Sequence, residues 1–131
     1  IAAEGSSVGD HVVMFRTLHY KADFPDDMHA FERVVLTKNV ENDKDKSLAL
    51  MRAEMLGGEF SCGIFIGGME GVELEFTMFR SLQPQCPAYP IPTTGAAASR
   101  IYEANSTIFE NFPDLVSELT YLYLMRRLLA S

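Results

Sequence analysis

Apolar residues fall into short runs separated by turns rich in glycine, proline or charged residues. Residues 11–15, Arg33–Thr37 and residues 62–66 have the length and composition of buried strands. Residues 88–92 predict a fourth strand, placed at a sheet edge because each proline in it removes a hydrogen-bond donor. The pattern therefore predicts four short strands, spaced along most of the chain.

Helical spacing appears between and after these strands. Ser47 is a candidate N-cap for a helix over 47–56, since Leu48, Met51 and Met55 repeat with helical periodicity and two glycines follow. The same spacing predicts helices over 72–82, from the 93–98 turn to about 103, and over 112–130. A turn is predicted at 24–27, a helical turn at 28–32 and a loop at 39–46. Alternating strands and helices predict an α/β fold with a mostly parallel sheet and helices on both faces.

Composition and charge limit what such a fold binds. The chain has 131 residues, 47% hydrophobic and 22% charged, which predicts one domain over residues 1–131. A net charge of −7 argues against binding a nucleic-acid backbone and favours a small ligand held by local backbone dipoles. No run approaches the roughly 18 apolar residues of a membrane span. Cys62 and Cys86 form no disulfide or zinc pattern, and the histidines have no metal spacing, so we expect a cytoplasmic protein without a metal or cofactor.

The first residues carry a separate signal. The chain has no initiating Met and starts Ile1-Ala2-Ala3-Glu4-Gly5, which is typical of the last turn of a helix and its glycine cap. We therefore expect that a preceding segment is missing.

Two small-residue turns follow predicted strands and precede predicted helices. The first contains Gly67, Gly68, Met69, Glu70 and Gly71. The second contains Thr93, Thr94 and Gly95. Ligands of parallel sheets bind beyond the carboxyl ends of strands, so these turns are expected to line one crevice in which backbone N–H groups hold a phosphate. Glycine needed only for turn geometry, and threonine acting only as an N-cap, are the simpler alternatives.

Charged residues near the first turn leave several roles open. Glu70, Glu73 and Glu75 would repel a bare phosphate, so one of them would accept from ribose hydroxyls or act as an acid or base, or all three would form a solvated helix face. Arg52 could pair with a phosphate or with Glu75, or lie on the surface.

The stretches 48–52, 63–76 and 89–97 together resemble the SLOG superfamily, in particular bacterial SLOG domains associated with sirtuin and TIR effectors. The resemblance covers nearly the whole chain. SLOG domains normally start with a strand and a glycine-containing loop, which nothing in residues 1–10 matches, so the resemblance implies that the first strand or strands of the domain are missing. It implies a Rossmann-like three-layer fold that senses a nucleotide-derived ligand, such as an ADP-ribose or NAD relative, as the regulatory domain of a bacterial defence or signalling system.

The superfamily also includes the LOG-type phosphoribohydrolases, which supply the alternative function. Arg52-Ala53-Glu54-Met55 and the 67–75 segment are similar to the LOG motifs and place Arg52 and Glu75 at their catalytic positions. This likeness implies a nucleoside 5′-monophosphate N-glycosidase. Val72 stands where those enzymes have Thr, one extra residue separates the glycines and the Lys after the Arg is absent, so sensing without turnover is preferred. A third class, a structural or homo-oligomeric module using the helix with Tyr121 and Leu129, predicts no ligand.

Overall fold

The protein is described by a computed structural model covering residues 12–25 and 33–130. The chain divides into two compact units, one ending at Met55 and the other beginning at Leu56. Among the described residues, each unit contains a parallel sheet of two strands. The predicted α/β class and parallel pairing are confirmed.

The first unit is built on strands β1, Val13–Thr17, and β2, Arg33–Thr37. They pair in parallel, with Val13 opposite Arg33 and Thr17 opposite Thr37. A 3-10 turn, Leu18–Asp23, follows β1, and helix α1, Lys44–Leu56, follows β2. The first strand thus lies two residues later than predicted, whereas β2 has the predicted bounds. The predicted helical turn at 28–32 and the end of the turn at 24–27 lie outside the described residues.

The start of α1 corrects the prediction that Ser47 is its N-cap. The helix begins three residues earlier, at Lys44, because Asp43 Oδ1 accepts from the Lys46 N–H at 3.0 Å. That hydrogen bond is the main cause of a lowered pKa for the Asp43 carboxyl. Ser47 is fully buried; its Oγ donates to the Asp43 carbonyl (2.6 Å) and accepts from the Val40 N–H (2.9 Å). It joins the loop before α1 to the helix instead of capping it.

The second unit is built on strands β3, Gly63–Ile66, and β4, Ala88–Ile91. They are parallel, with Ile66 opposite Ile91. Helix α2, Glu70–Leu82, connects them, and α3, Ala96–Ala104, follows β4 after a 3-10 turn, Pro92–Thr94. The unit ends with a 3-10 turn, Ser106–Phe109, and helices α4, Asp114–Ser117, and α5, Tyr121–Ala130.

The apolar core of the second unit lies between β3, β4 and the helices. The Phe65 ring meets Phe76 and Phe79 edge-on, with centroids 5.2 and 5.9 Å apart. Ile91 and Leu124 are completely buried. This packing fixes β3, β4 and α2, and therefore the positions of the turns at the ends of the two strands.

The C-terminal helix predicted over 112–130 is instead two helices, α4 and α5. Glu118 adopts an extended conformation (φ −85°, ψ 117°) and ends α4. Its Oε1 accepts from the Thr120 N–H at 2.7 Å, just before α5 begins. A side chain that satisfies the backbone locally competes with the helical hydrogen bonds, and this explains the break. Over the described residues, no helix has the length and apolarity needed to cross a membrane.

Candidate functional site

Two turns at the carboxyl ends of adjacent strands form the candidate site. Residues 67–69 connect β3 to α2, and residues 92–95 connect β4 to α3. Because β3 and β4 are paired and parallel, both turns leave the same edge of the sheet. The structure thus brings the predicted site residues of the two turns together.

Hydrogen bonds join the two turns directly. The Gly67 N–H donates to Thr94 Oγ1 at 2.8 Å. In the opposite direction, the N–H groups of Ala97 and Ala98 donate to the carbonyls of Gly68 (3.2 Å) and Gly67 (3.1 Å). The turns therefore form one continuous backbone surface. We call this surface, residues 67–71 and 93–95, the paired turns.

Thr94 occupies the central position in this arrangement. Besides accepting from Gly67, its hydroxyl donates to the Ile91 carbonyl at 2.5 Å, so both functions of the hydroxyl are used. The interpretation of the threonines as N-caps is wrong, because the N-cap residue of α3 is Gly95. The Thr93 hydroxyl lies 3.2 Å from the Tyr121 hydroxyl.

Glycine is required at two positions for different reasons. Gly68 has φ +79°, and a Cβ there would lie 2.2 Å from Cγ2 of Val72 in the first turn of α2. Gly95 has φ +76° and ψ −167°, a conformation open almost only to glycine, and no atom lies within 4 Å of the point that a Cβ would occupy. The space beside Gly95 is therefore open.

The two helix starts differ in the donors they offer. At α3, the N–H groups of Ala97 and Ala98 are used by the first turn. At α2, Met69 is the N-cap residue, makes no side-chain cap and is 81% exposed. The N–H groups of Glu70 and Gly71, the first two helical residues, have no acceptor inside a helix at these positions. The start of α2 is thus the donor-rich part of the paired turns.

An ion pair reduces the negative charge beside these donors. Arg100 on α3 forms a bidentate pair with Glu73 on α2, with Nε–Oε1 and Nη2–Oε2 distances of 3.0 and 3.2 Å. The hydrogen bond from Arg100 lowers the pKa of the Glu73 carboxyl, and Glu73 in turn raises the pKa of Arg100. The charge of Glu70 adds to the raised pKa of Arg100. The repulsion expected between this acidic segment and a phosphate is therefore weaker than the sequence suggests.

Arg52 and Glu75 belong to different units. Arg52 lies on α1 in the first unit, and Glu75 lies on α2 in the second unit. Both are half-buried, and both interact within the protein. Their catalytic roles stay predictions. No group of three His, Cys, Asp or Glu residues suited to a metal ion occurs in the described part of the chain.

Sequence reasoning misses two residues of this region. Arg100 has no motif around it, although an arginine in the helix after the second turn is a signal for a counter-charge to the glutamates of α2. Tyr121 has the sequence pattern of a packing helix, and its hydroxyl contact with Thr93 spans 28 residues, too far for any local pattern to reveal.

Comparison with known proteins gives one match. A family model described as the SLOG cluster3 family matches residues 2–129. No curated protein and no solved structure matches the chain.

Proposed function

The chain belongs to the SLOG cluster3 family, and from this premise we propose that it binds a nucleotide-derived ligand of the ADP-ribose or NAD class at the paired turns. The protein would act as a sensor, the regulatory domain of a bacterial defence or signalling system in the cytoplasm. Its fold would be a single Rossmann-like three-layer domain, with the capacity to form homo-oligomers.

The observation that carries this proposal is the link between the two turns. Three hydrogen bonds hold them as one surface, between Gly67 and Thr94 and between Ala97, Ala98 and the carbonyls of the first turn. A preorganised backbone surface needs little reordering when a ligand binds, so less binding energy is lost.

The chemistry of this surface suits a phosphate. N–H groups at the start of a helix and the positive end of its dipole stabilise an anion without any net positive charge on the protein. Glu70 is exposed beside this position and could accept hydrogen bonds from ribose hydroxyls. A phosphorylated ribose supplies both groups, and this supports a nucleotide over an inorganic anion.

Charge at Met69 gives a matched test of where the phosphate binds. Met69 is 81% exposed, so Met69→Glu and Met69→Gln should both fold. The added carboxylate of Met69→Glu should weaken binding of ADP-ribose and ribose 5-phosphate by about 5-fold or more, since like charges a few ångströms apart repel by about 1 kcal/mol even in water. Met69→Gln, which has a similar shape and no charge, should bind like the wild type in isothermal titration calorimetry.

Thermal unfolding against ADP-ribose, cyclic ADP-ribose, NAD, AMP and ribose 5-phosphate, with product analysis, separates sensing from catalysis. A ligand that binds only the folded protein stabilises it by about 2.7 kcal/mol at 100 times its dissociation constant. Stabilisation without products supports a sensor. Release of free base that is abolished by Glu75→Gln would instead support the N-glycosidase, in which Arg52 holds the 5′-phosphate. No stabilisation by any compound would overturn both.

A further inference from the structure

A second cleft lies in the first unit, at the carboxyl end of β1. It measures about 230 Å³ and is lined by Phe15, Arg16, Tyr20, Asp23, Phe24 and Met51, among others. All of these residues belong to β1, the 3-10 turn after it, the residue that follows that turn, or α1. The cleft thus lies where parallel sheets place ligands, beyond the end of a strand.

Three aromatic rings contribute to the lining. The rings of Phe15, Tyr20 and Phe24 are all half-buried, so each presents part of its surface to the cleft. Arg16 lies over the Phe24 ring, with Cζ 4.9 Å from the ring centroid. A guanidinium that lies over an aromatic ring can itself be a stacking surface for a planar, electron-rich ring.

The cleft has one charged hydrogen-bond donor and one charged acceptor. Arg16 can only donate, and the exposed Asp23 carboxylate can only accept. The amino group at a nucleobase edge donates, and so complements the Asp23 carboxylate. A purely apolar occupant would remove water from both charged groups without replacing their hydrogen bonds, which is unfavourable.

A polar network fixes the walls of the cleft. Thr17 Oγ1 accepts from the His19 N–H at 3.2 Å and caps the 3-10 turn that carries Tyr20 and Asp23. His19 Nδ1 lies 3.3 Å from Asn39 Oδ1, which is also 3.3 Å from Ser47 Oγ on α1. The turn and the helix that carries Met51 are therefore connected through buried or half-buried polar side chains. A cleft held in this way is formed before a ligand arrives.

We propose that this cleft binds a purine base, stacked on the Arg16–Phe24 pair and hydrogen-bonded at its edge by Asp23. Its volume is below the roughly 300–1,000 Å³ of pockets that enclose whole drug-sized ligands, so it admits one ring system and leaves the sugar outside. The inference does not depend on the phosphate site, because every residue it uses lies in the first unit.

The test is titration of the full chain with adenosine, which has no phosphate, and with ribose 5-phosphate, which has no base. Phe24→Leu keeps an apolar side chain and removes the ring, and should weaken adenosine binding by about 5- to 100-fold, as expected for one base–aromatic stack. Tyr123→Leu is the matched control, because it removes an exposed ring of the second unit that also lies under an arginine, with Arg127 Cζ 5.8 Å from its centroid. It should leave adenosine binding unchanged.

A second measurement needs no variant. Photolabelling of the wild-type chain with 8-azidoadenosine should place the label in peptides containing residues 15–24 or 48–51. Absence of saturable adenosine binding, equal binding by wild type and a folded Phe24→Leu, or label confined to residues 67–71 and 93–96 would each overturn the inference. If the wild type binds adenosine but not ribose 5-phosphate, the result counts against phosphate binding at the paired turns and still supports base binding in the cleft.

Discussion

Single hydroxyl groups hold together different segments of the chain. Thr94 connects to Gly67 across 27 residues, and Ser47 connects α1 to Val40 in the preceding loop. Each hydroxyl accepts from a backbone N–H and donates to a backbone carbonyl. Removing it leaves a backbone donor without its acceptor, which costs more than the hydrogen bond itself contributes.

Thr94→Val tests the connection between the paired turns. Valine keeps the branched shape and removes the acceptor of the Gly67 N–H, so we expect a loss of about 1–3 kcal/mol in the free energy of unfolding, measured by urea denaturation. We also expect weaker binding of ADP-ribose, because the turns are no longer held together. Thr93→Val, whose hydroxyl faces only the Tyr121 hydroxyl, should change stability by no more than about 0.5 kcal/mol. Equal effects of the two substitutions would contradict the assigned role of Thr94.

Ser47→Ala tests the buried hydroxyl of the first unit. Ser47 is completely buried, and its loss leaves the Val40 N–H unsatisfied, so we expect destabilisation by about 1–3 kcal/mol in urea. Ser117→Ala is the control, because its exposed hydroxyl only donates back to the Pro113 carbonyl. If Ser47→Ala lowers the free energy of unfolding no more than Ser117→Ala does, the buried hydroxyl does not stabilise the first unit and the prediction is wrong.

At the scale of elements, α2 and α3 are joined by the Glu73–Arg100 pair beside the paired turns. Arg100 lowers the pKa of Glu73 below its ordinary value of 4.5. A carboxyl whose pKa is lower in the folded state than in the unfolded state stabilises the fold above the unfolded value, and this contribution disappears as the pH falls through the folded value. The pair is exposed, so the effect is small and sensitive to salt.

We therefore expect the stability difference between the wild type and Glu73→Gln to be constant above about pH 5 and to shrink as the pH falls below about 4.5. Urea denaturation from pH 7 to pH 3 at low ionic strength measures it. Glu103→Gln on α3 is the control, since its carboxylate accepts from the Ser99 hydroxyl instead of an arginine. A difference that grows on acidification would have the wrong sign for a lowered pKa.

Local patterns predicted the elements better than their ends. Arg33–Thr37 has the predicted bounds, and helix α2 starts within two residues of its predicted start, because apolar periodicity and glycine mark both. The break at Glu118 and the earlier start of α1 depend on which side chain satisfies the backbone, and periodicity does not register this. The meeting of the two turns was predicted because both follow the carboxyl ends of parallel strands, whereas the contacts that join them required atomic positions.

At the scale of the whole chain, the two units differ in what they bury. In the second unit, large apolar side chains such as Phe79, Leu115 and Leu124 are completely buried. Among the described residues of the first unit, those that fall in the buried class are Thr17, Thr37 and Ser47, all of them polar. A two-stranded sheet and one helix without a buried apolar core are marginal in water. The prediction of a single domain therefore implies that the first unit does not fold independently of the second.

Leu124→Ala tests this dependence within the full chain. The substitution opens a cavity in the core of the second unit and should lower the free energy of unfolding by about 2–5 kcal/mol. Native-state hydrogen exchange reports the loss separately for the amides of β3 and β4 and for those of β1 and β2. If the first unit has no stability of its own, its most protected amides exchange only when the whole protein unfolds, and they must lose the same free energy as those of the second unit. Unchanged protection in β1 and β2 would mean that residues 12–55 are stabilised from within, and the chain would then contain two domains.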